Sequence, residues 1–144
     1  MPPANGRKEL VAANVFGVRI PGMELGYFIE CRGLSVEVEV QEYAEGGNNE
    51  FVHQLPGRLI YPKLELARGM TTEDNLLKWF MQTRIKAERK EVIIDIFNRY
   101  GEVHRSFTFD EAYPVKWTGP TIAVGGGGAA TEELTIAHAG LKMA

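Results

Sequence analysis

The chain has 144 residues, 44% apolar and 24% charged, the balance of a folded domain large enough to bury a core without staples or metals. Its net charge is −3 with no long run of one sign, so the basic footprint of a sequence-specific nucleic-acid binder is missing. A lone Cys31 excludes an internal disulfide, and His53, His104 and His138 stand at no metal-ligand spacing.

In chain order, Met1 to Asn14 reads as a polar leader without the apolar centre of a secretory signal. No stretch approaches the ~18 apolar residues of a spanning helix. The expectation is a single domain over 1–144, made in the cytoplasm, with no signal peptide and no membrane anchor. Val15 to Ile20 and Leu25 to Cys31 form two predicted strands around the turn Pro21-Gly22-Met23-Glu24. Leu34, Val36, Val38 and Val40 then alternate with Ser35, Glu37, Glu39 and Gln41, which predicts a strand buried on one face only. Tyr43 to Gly57 is dense in breakers and is predicted as a long loop with a task of its own.

Leu59 to Arg68 resumes as a strand in which Pro62 marks an edge or bulge. Thr71-Thr72-Glu73-Asp74 offers helix-starting hydroxyls and carboxylates. The spacing of Leu76, Leu77, Phe80 and Met81 predicts a helix to about Lys86, with that stripe against the core. Glu91 to Asn98 and Glu102 to Asp110 read as a hairpin across Gly101. Tyr113 to Thr118 is extended, Gly125 to Gly128 is a surface linker, and Glu132 to His138 is a last strand. The predicted fold class is mainly β, an antiparallel β barrel or sandwich of about seven strands with one flanking α-helix.

No catalytic constellation emerges from these residues. Cys31 lies in a strand with no paired histidine and reads as a small buried hydrophobe. Glu37 and Glu39 are spaced as a strand face that stays wet rather than as an acid and base pair. The glycine run lacks the Lys-Ser/Thr ending of a phosphate loop. His53 reads as an interface or solvent-facing side chain, and Trp79, Phe80 and Trp117 as core or interface anchors. No catalytic residue, metal ligand or cofactor is assigned.

Several stretches taken in order resemble the tube-protein family of contractile phage tails. They are Gly33-Leu34-Ser35-Val36-Glu37-Val38-Glu39-Val40-Gln41-Glu42-Tyr43, Glu45-Gly46-Gly47-Asn48-Asn49, Leu55-Pro56-Gly57-Arg58, Tyr61-Pro62, Arg68-Gly69, Ala112-Tyr113-Pro114-Val115-Lys116-Trp117-Thr118-Gly119-Pro120 and Leu134-Thr135-Ile136-Ala137-His138-Ala139-Gly140-Leu141. The family is similar to the tube protein of type VI secretion. The resemblance implies a structural, non-enzymatic subunit that forms hexameric rings stacked into a hollow tube. It further implies a surrounding sheath, baseplate and spike proteins as partners, and cargo in the lumen.

Within that reading the expected inter-subunit contact loop holds Tyr43, Glu45, Gly46, Gly47, Asn48, Asn49, Phe51, Val52, His53, Leu55, Pro56 and Gly57. If the valines of the alternating strand face the core, Glu37 and Glu39 face outward and are candidates for the lumen wall. Two other readings stay open: a tube-initiator at the baseplate, and a stand-alone β barrel binding a small ligand. An oligonucleotide-binding barrel is disfavoured by the acidic strand face.

Overall fold

The computed structural model describes residues 15–43, 53–86, 88–126, 128 and 130–143. Strand β1 (Val15–Ile20) buries Phe16, Val18 and Ile20, every second side chain, as a one-sided strand must. It turns through Pro21-Gly22, with Gly22 at φ +85°, into β2 (Met23–Phe28), pairing Phe16 with Phe28. Only Ile29 separates β2 from β3 (Glu30–Arg32). The predicted single strand over 25–31 is therefore split: its first part pairs with β1 and its second with β6 (Leu64–Gly69).

Between β3 and β6 the chain forms a separate two-stranded ribbon, β4 (Glu37–Tyr43) with β5 (His53–Ile60). After β6 come helix α1 (Asn75–Ile85), β7 (Lys90–Phe97), β8 (Val103–Thr118), β9 (Thr131–Ala137) and β10 (Gly140–Met143). The main sheet is antiparallel throughout, in the order β2-β1-β7-β8-β9-β6-β3, with β10 also on β8. Its two outermost strands are neighbours in the chain. The sheet thus curls over into a sandwich-like shape without closing as a barrel.

Strand β8 is shared by both layers. Its first part pairs with β7 and β10, its last part with β9. The change of partner falls beside Glu111, whose φ of 48° lies in the left-handed region that non-glycine residues seldom adopt. Phe109, Leu25, Leu64, Leu66, Ile94, Leu134 and Ile136 fill the space between the layers and are fully buried. Each such side chain contributes about 1.5–3 kcal/mol of hydrophobic burial.

Helix α1 lies over β8. Its start differs from the predicted caps: Asp74 precedes it without a side-chain cap, and the Thr71 hydroxyl accepts from the Glu73 amide instead. The buried residues are Leu76 and Trp79, the latter only 2% exposed. Leu77 and Phe80 are half-buried and Met81 is exposed. The predicted stripe is therefore rotated, because the wide indole of Trp79 takes the place against the sheet.

A buried polar cluster joins the helix to both layers. Arg68 on β6 donates from Nε to Glu132 Oε1 at 2.6 Å, from Nη2 to Asn75 Oδ1 at 2.6 Å and from Nη1 to the Leu25 carbonyl. Trp117 Nε1 donates to the other Glu132 oxygen at 3.2 Å, and the Phe28 ring lies beneath the guanidinium. Every charge in this cluster has its partner, the condition under which a buried ion pair persists.

A candidate assembly arm

The β4–β5 ribbon leaves the sandwich through a tight root. Gly33, at φ +88°, lies so close to the backbone of Lys63, between β5 and β6, that a Cβ there would overlap its carbonyl oxygen. Tyr61, just past β5, meets the His138 ring edge-on at 5.5 Å, and His138 meets Phe109 at 4.7 Å. Burial holds the His138 imidazole below its ordinary value, with the backbone of Pro62 and Gly140 opposing.

Along the ribbon, Val38 pairs with Leu59, Val40 with Pro56 and Glu42 with Gln54. Glu37 pairs with Ile60 and Gln41 with Leu55. Opposed residues share a face, so Val38, Val40, Pro56 and Leu59 make one apolar face ending at Glu42. That face is exposed: Val38 at 41%, Val40 at 54% and Leu59 at 53%. This corrects the expectation that Leu34, Val36, Val38 and Val40 are buried on one face. Leu34 and Val36 precede the strand and are exposed as well. The alternation is real but covers no core of its own chain.

The predicted contact loop is also redrawn. Tyr43 ends β4, while His53, Leu55, Pro56 and Gly57 belong to β5 rather than to a loop. Proline and glycine fit there because a two-stranded ribbon is all edge, and its register shifts between Val38 and Val40. Glu45, Gly46, Gly47, Asn48, Asn49, Phe51 and Val52 lie outside the described residues. Glu37 and Glu39 lie on β4, opposite in face to the valines, with Glu39 accepting from Arg58 Nε at 3.1 Å. That pair is exposed and worth little on its own.

Elsewhere, burial pushes the Cys31 thiol up to about 11, so it stays protonated and poorly nucleophilic. Among the described residues no group of three or more His, Cys, Asp or Glu side chains is placed to hold a metal ion. Burial raises the Asp95 carboxyl, but hydrogen bonds from Arg19 Nε at 2.7 Å and Ser106 Oγ at 2.5 Å outweigh it and hold it below the usual carboxylate range. Sequence reasoning missed both this group and the Arg68 cluster, since their members lie far apart in the chain. No described helix is long and apolar enough to cross a membrane.

The described residues thus form a filled β sandwich that carries a two-stranded ribbon with an exposed apolar face. The chain belongs to the T4-like virus tail tube protein gp19 family, whose model matches residues 12–142. Its fold is shared with the tube-terminating cap of the anti-feeding prophage, at TM-score 0.83 and 20% identity, over 99% of this chain and 95% of that one. It is shared too with the sheath-tube complex of an extracellular contractile injection system, PVC, in the extended state. There the TM-score is 0.81 and the identity 21%, over 94% and 91% of the two chains. Hcp1 from Flavobacterium johnsoniae is a more distant likeness, at TM-score 0.55 and 16% identity over 90% and 94%. No curated protein matches the sequence.

Proposed function

We propose that this tail-tube protein is the inner-tube subunit of a phage-tail-like contractile injection system. Its copies form rings, hexameric in this reading, that stack within a sheath and meet baseplate and spike proteins at the end. The observation that carries the proposal is the open apolar face of the arm, Val38, Val40 and Leu59, which its own chain leaves in water. Burying such a face against a second copy by a heterologous contact is what closes a ring or extends a stack. Family membership supplies the tube, and the solved relatives are described as parts of caps, sheath-tube complexes and baseplates.

The residues from Tyr43 to Gly57, with the described part in β4 and β5, carry the inter-subunit or inter-ring contact. Deleting Gly46 to Glu50 is expected to block assembly and leave a folded subunit, as read by negative-stain imaging and circular dichroism. Unchanged tubes in that deletion would count decisively against the arm. Glu37 and Glu39 are placed in this reading on the lumen wall, where negative charge keeps acidic cargo from adhering. A Glu37→Cys subunit that also carries Cys31→Ala should, in assembled tubes, react with a small thiol reagent and resist one too bulky for the bore. Equal reaction with both would put the face outside.

A second reading is supported by the likeness to the prophage cap and baseplate proteins: an end piece or tube-initiator of the same kind of particle. Long tubes from the purified chain favour the main-tube role, and single rings favour the end piece. A stand-alone small-ligand carrier fits less well, because the space between the layers is filled by Phe109, Leu25, Leu64 and Ile136.

A further inference from the structure

Helix α1 presents a second apolar stripe outward, away from Leu76 and Trp79. Leu77 is half-buried, Met81 is 54% exposed and Ile85 is 89% exposed. Arg84 lies beside them. On a helix turning about 100° per residue, Leu77, Met81 and Arg84 fall within about 60° of one another. Asn75–Ile85 contains Lys78 and Arg84 and no carboxylate, a net charge of +2. The described residues of β4 and β5 hold Glu37, Glu39 and Glu42 against Arg58, a net −2.

Resting on the self-assembly reading above, we infer that the apolar face of the arm docks in trans on this outward face of α1 in a neighbouring copy. Three observations match the two surfaces. Each is apolar and, but for the half-buried Leu77, exposed among the described residues. Their lengths agree: Val38 to Glu42 spans ~13 Å of strand, and Leu77 to Arg84 spans ~10 Å of helix axis. Their charges are opposite, and the one acid on the arm's apolar face, Glu42, has no ion pair among the described residues. Arg84 on the helix has none either, whereas Lys78 is tied to Asp74 at 3.2 Å and Glu39 to Arg58. Setting Val38 and Val40 along Leu77 and Met81 brings Glu42 toward Arg84. Such a contact is heterologous, since arm and helix are different surfaces of one subunit, and it leaves each joined pair with one free arm and one free helix for the next copies. Glu37 and Glu39, on the far face of the ribbon, add to the opposite field that steers the encounter.

The test uses the full chain carrying Glu42→Lys, Arg84→Glu or both. Each single reversal is expected to raise the concentration needed for rings by about ten-fold or more, and the double reversal to restore most of that loss, as complementary charges across an interface do. Subunits carrying Val40→Cys mixed with subunits carrying Met81→Cys should give a disulfide-linked dimer under mild oxidation that neither forms alone. Should a charge variant fail to fold, this exposed cysteine pair carries the test. A double reversal no better than the worse single one, or the absence of the mixed dimer from assembled tubes, overturns the arm-to-helix contact and leaves the tube reading standing. Loss of assembly from the arm reversal alone assigns the arm to another surface and overturns the inference as well. An unmodified chain that stays monomeric overturns the tube reading and this contact together.

Discussion

The sandwich and the arm are built from the same kind of strand and end in opposite states. In β9, Glu132, Leu134 and Ile136 alternate with half-exposed neighbours, and the alternate set is buried. In β4, Val38 and Val40 alternate with glutamates in the same way and remain in water. Period-two patterning thus reports that a strand has two unlike faces; it does not say whether its own chain covers the apolar one. Stability should therefore reside in the sandwich and association in the arm.

The largest effect that tests this division is expected at Arg68. Arg68→Met leaves the Glu132 carboxylate buried beside Trp117 with its charge uncompensated, which should cost about 3–5 kcal/mol in urea unfolding. Adding Glu132→Leu removes the stranded charge and should recover most of that loss. A single variant as stable as the parent would mean that water already reaches this cluster.

Acid gives a smaller and graded effect. Because the folded chain holds His138 below its ordinary value of about 6.5, the unfolded chain takes up the proton first. The contribution of the neutral imidazole is present in full above about pH 6.5. It is lost progressively as pH falls below that, and levels off once the folded imidazole is itself protonated. His138→Phe should flatten unfolding free energy against pH in that window. A parallel slope in both proteins would assign the acid sensitivity to other groups.

The smallest change in stability is expected on the arm itself. Val40→Ser, at an exposed site, should move the unfolding free energy by no more than about 0.5 kcal/mol. The same substitution should sharply reduce assembly measured by sedimentation. A large stability loss with assembly untouched would reverse the division between the two regions.

Much of this architecture is legible in the residues. The opening hairpin, the hairpin across Gly101, the helix after Thr72 and the last long strand all carry local signals of period and turn chemistry, and the structure places them within a few residues. The family resemblance is equally legible, because stretches such as Leu55-Pro56-Gly57 and Ala112-Tyr113-Pro114 stand in order along the chain, and the family model matches residues 12–142. Three features are not. Strand β8 runs on through Glu111 and a buried Pro114, which local rules read as a break. Trp79 displaces Met81 from the core through bulk, which periodicity does not weigh. Arg68 and Glu132 are 64 positions apart, so nothing near either one announces the other. Of the candidate site, the breakers between Tyr43 and Gly57 mark a segment whose described residues stand in the β4–β5 ribbon. They obscured that its described residues, Tyr43 and His53 to Gly57, are strand, since a narrow ribbon tolerates proline and glycine that a sheet interior rejects.

The root of the arm has a mechanical consequence. The chain is packed on both sides of the ribbon, Gly33 before β4 lying close to the Lys63 backbone and Tyr61 after β5 seated against His138. A ribbon anchored where it leaves and where it returns behaves as a cantilever rather than a swivel. In the assembly proposed above, a load on β4 and β5 would reach the sandwich as torque instead of being lost in a pivot.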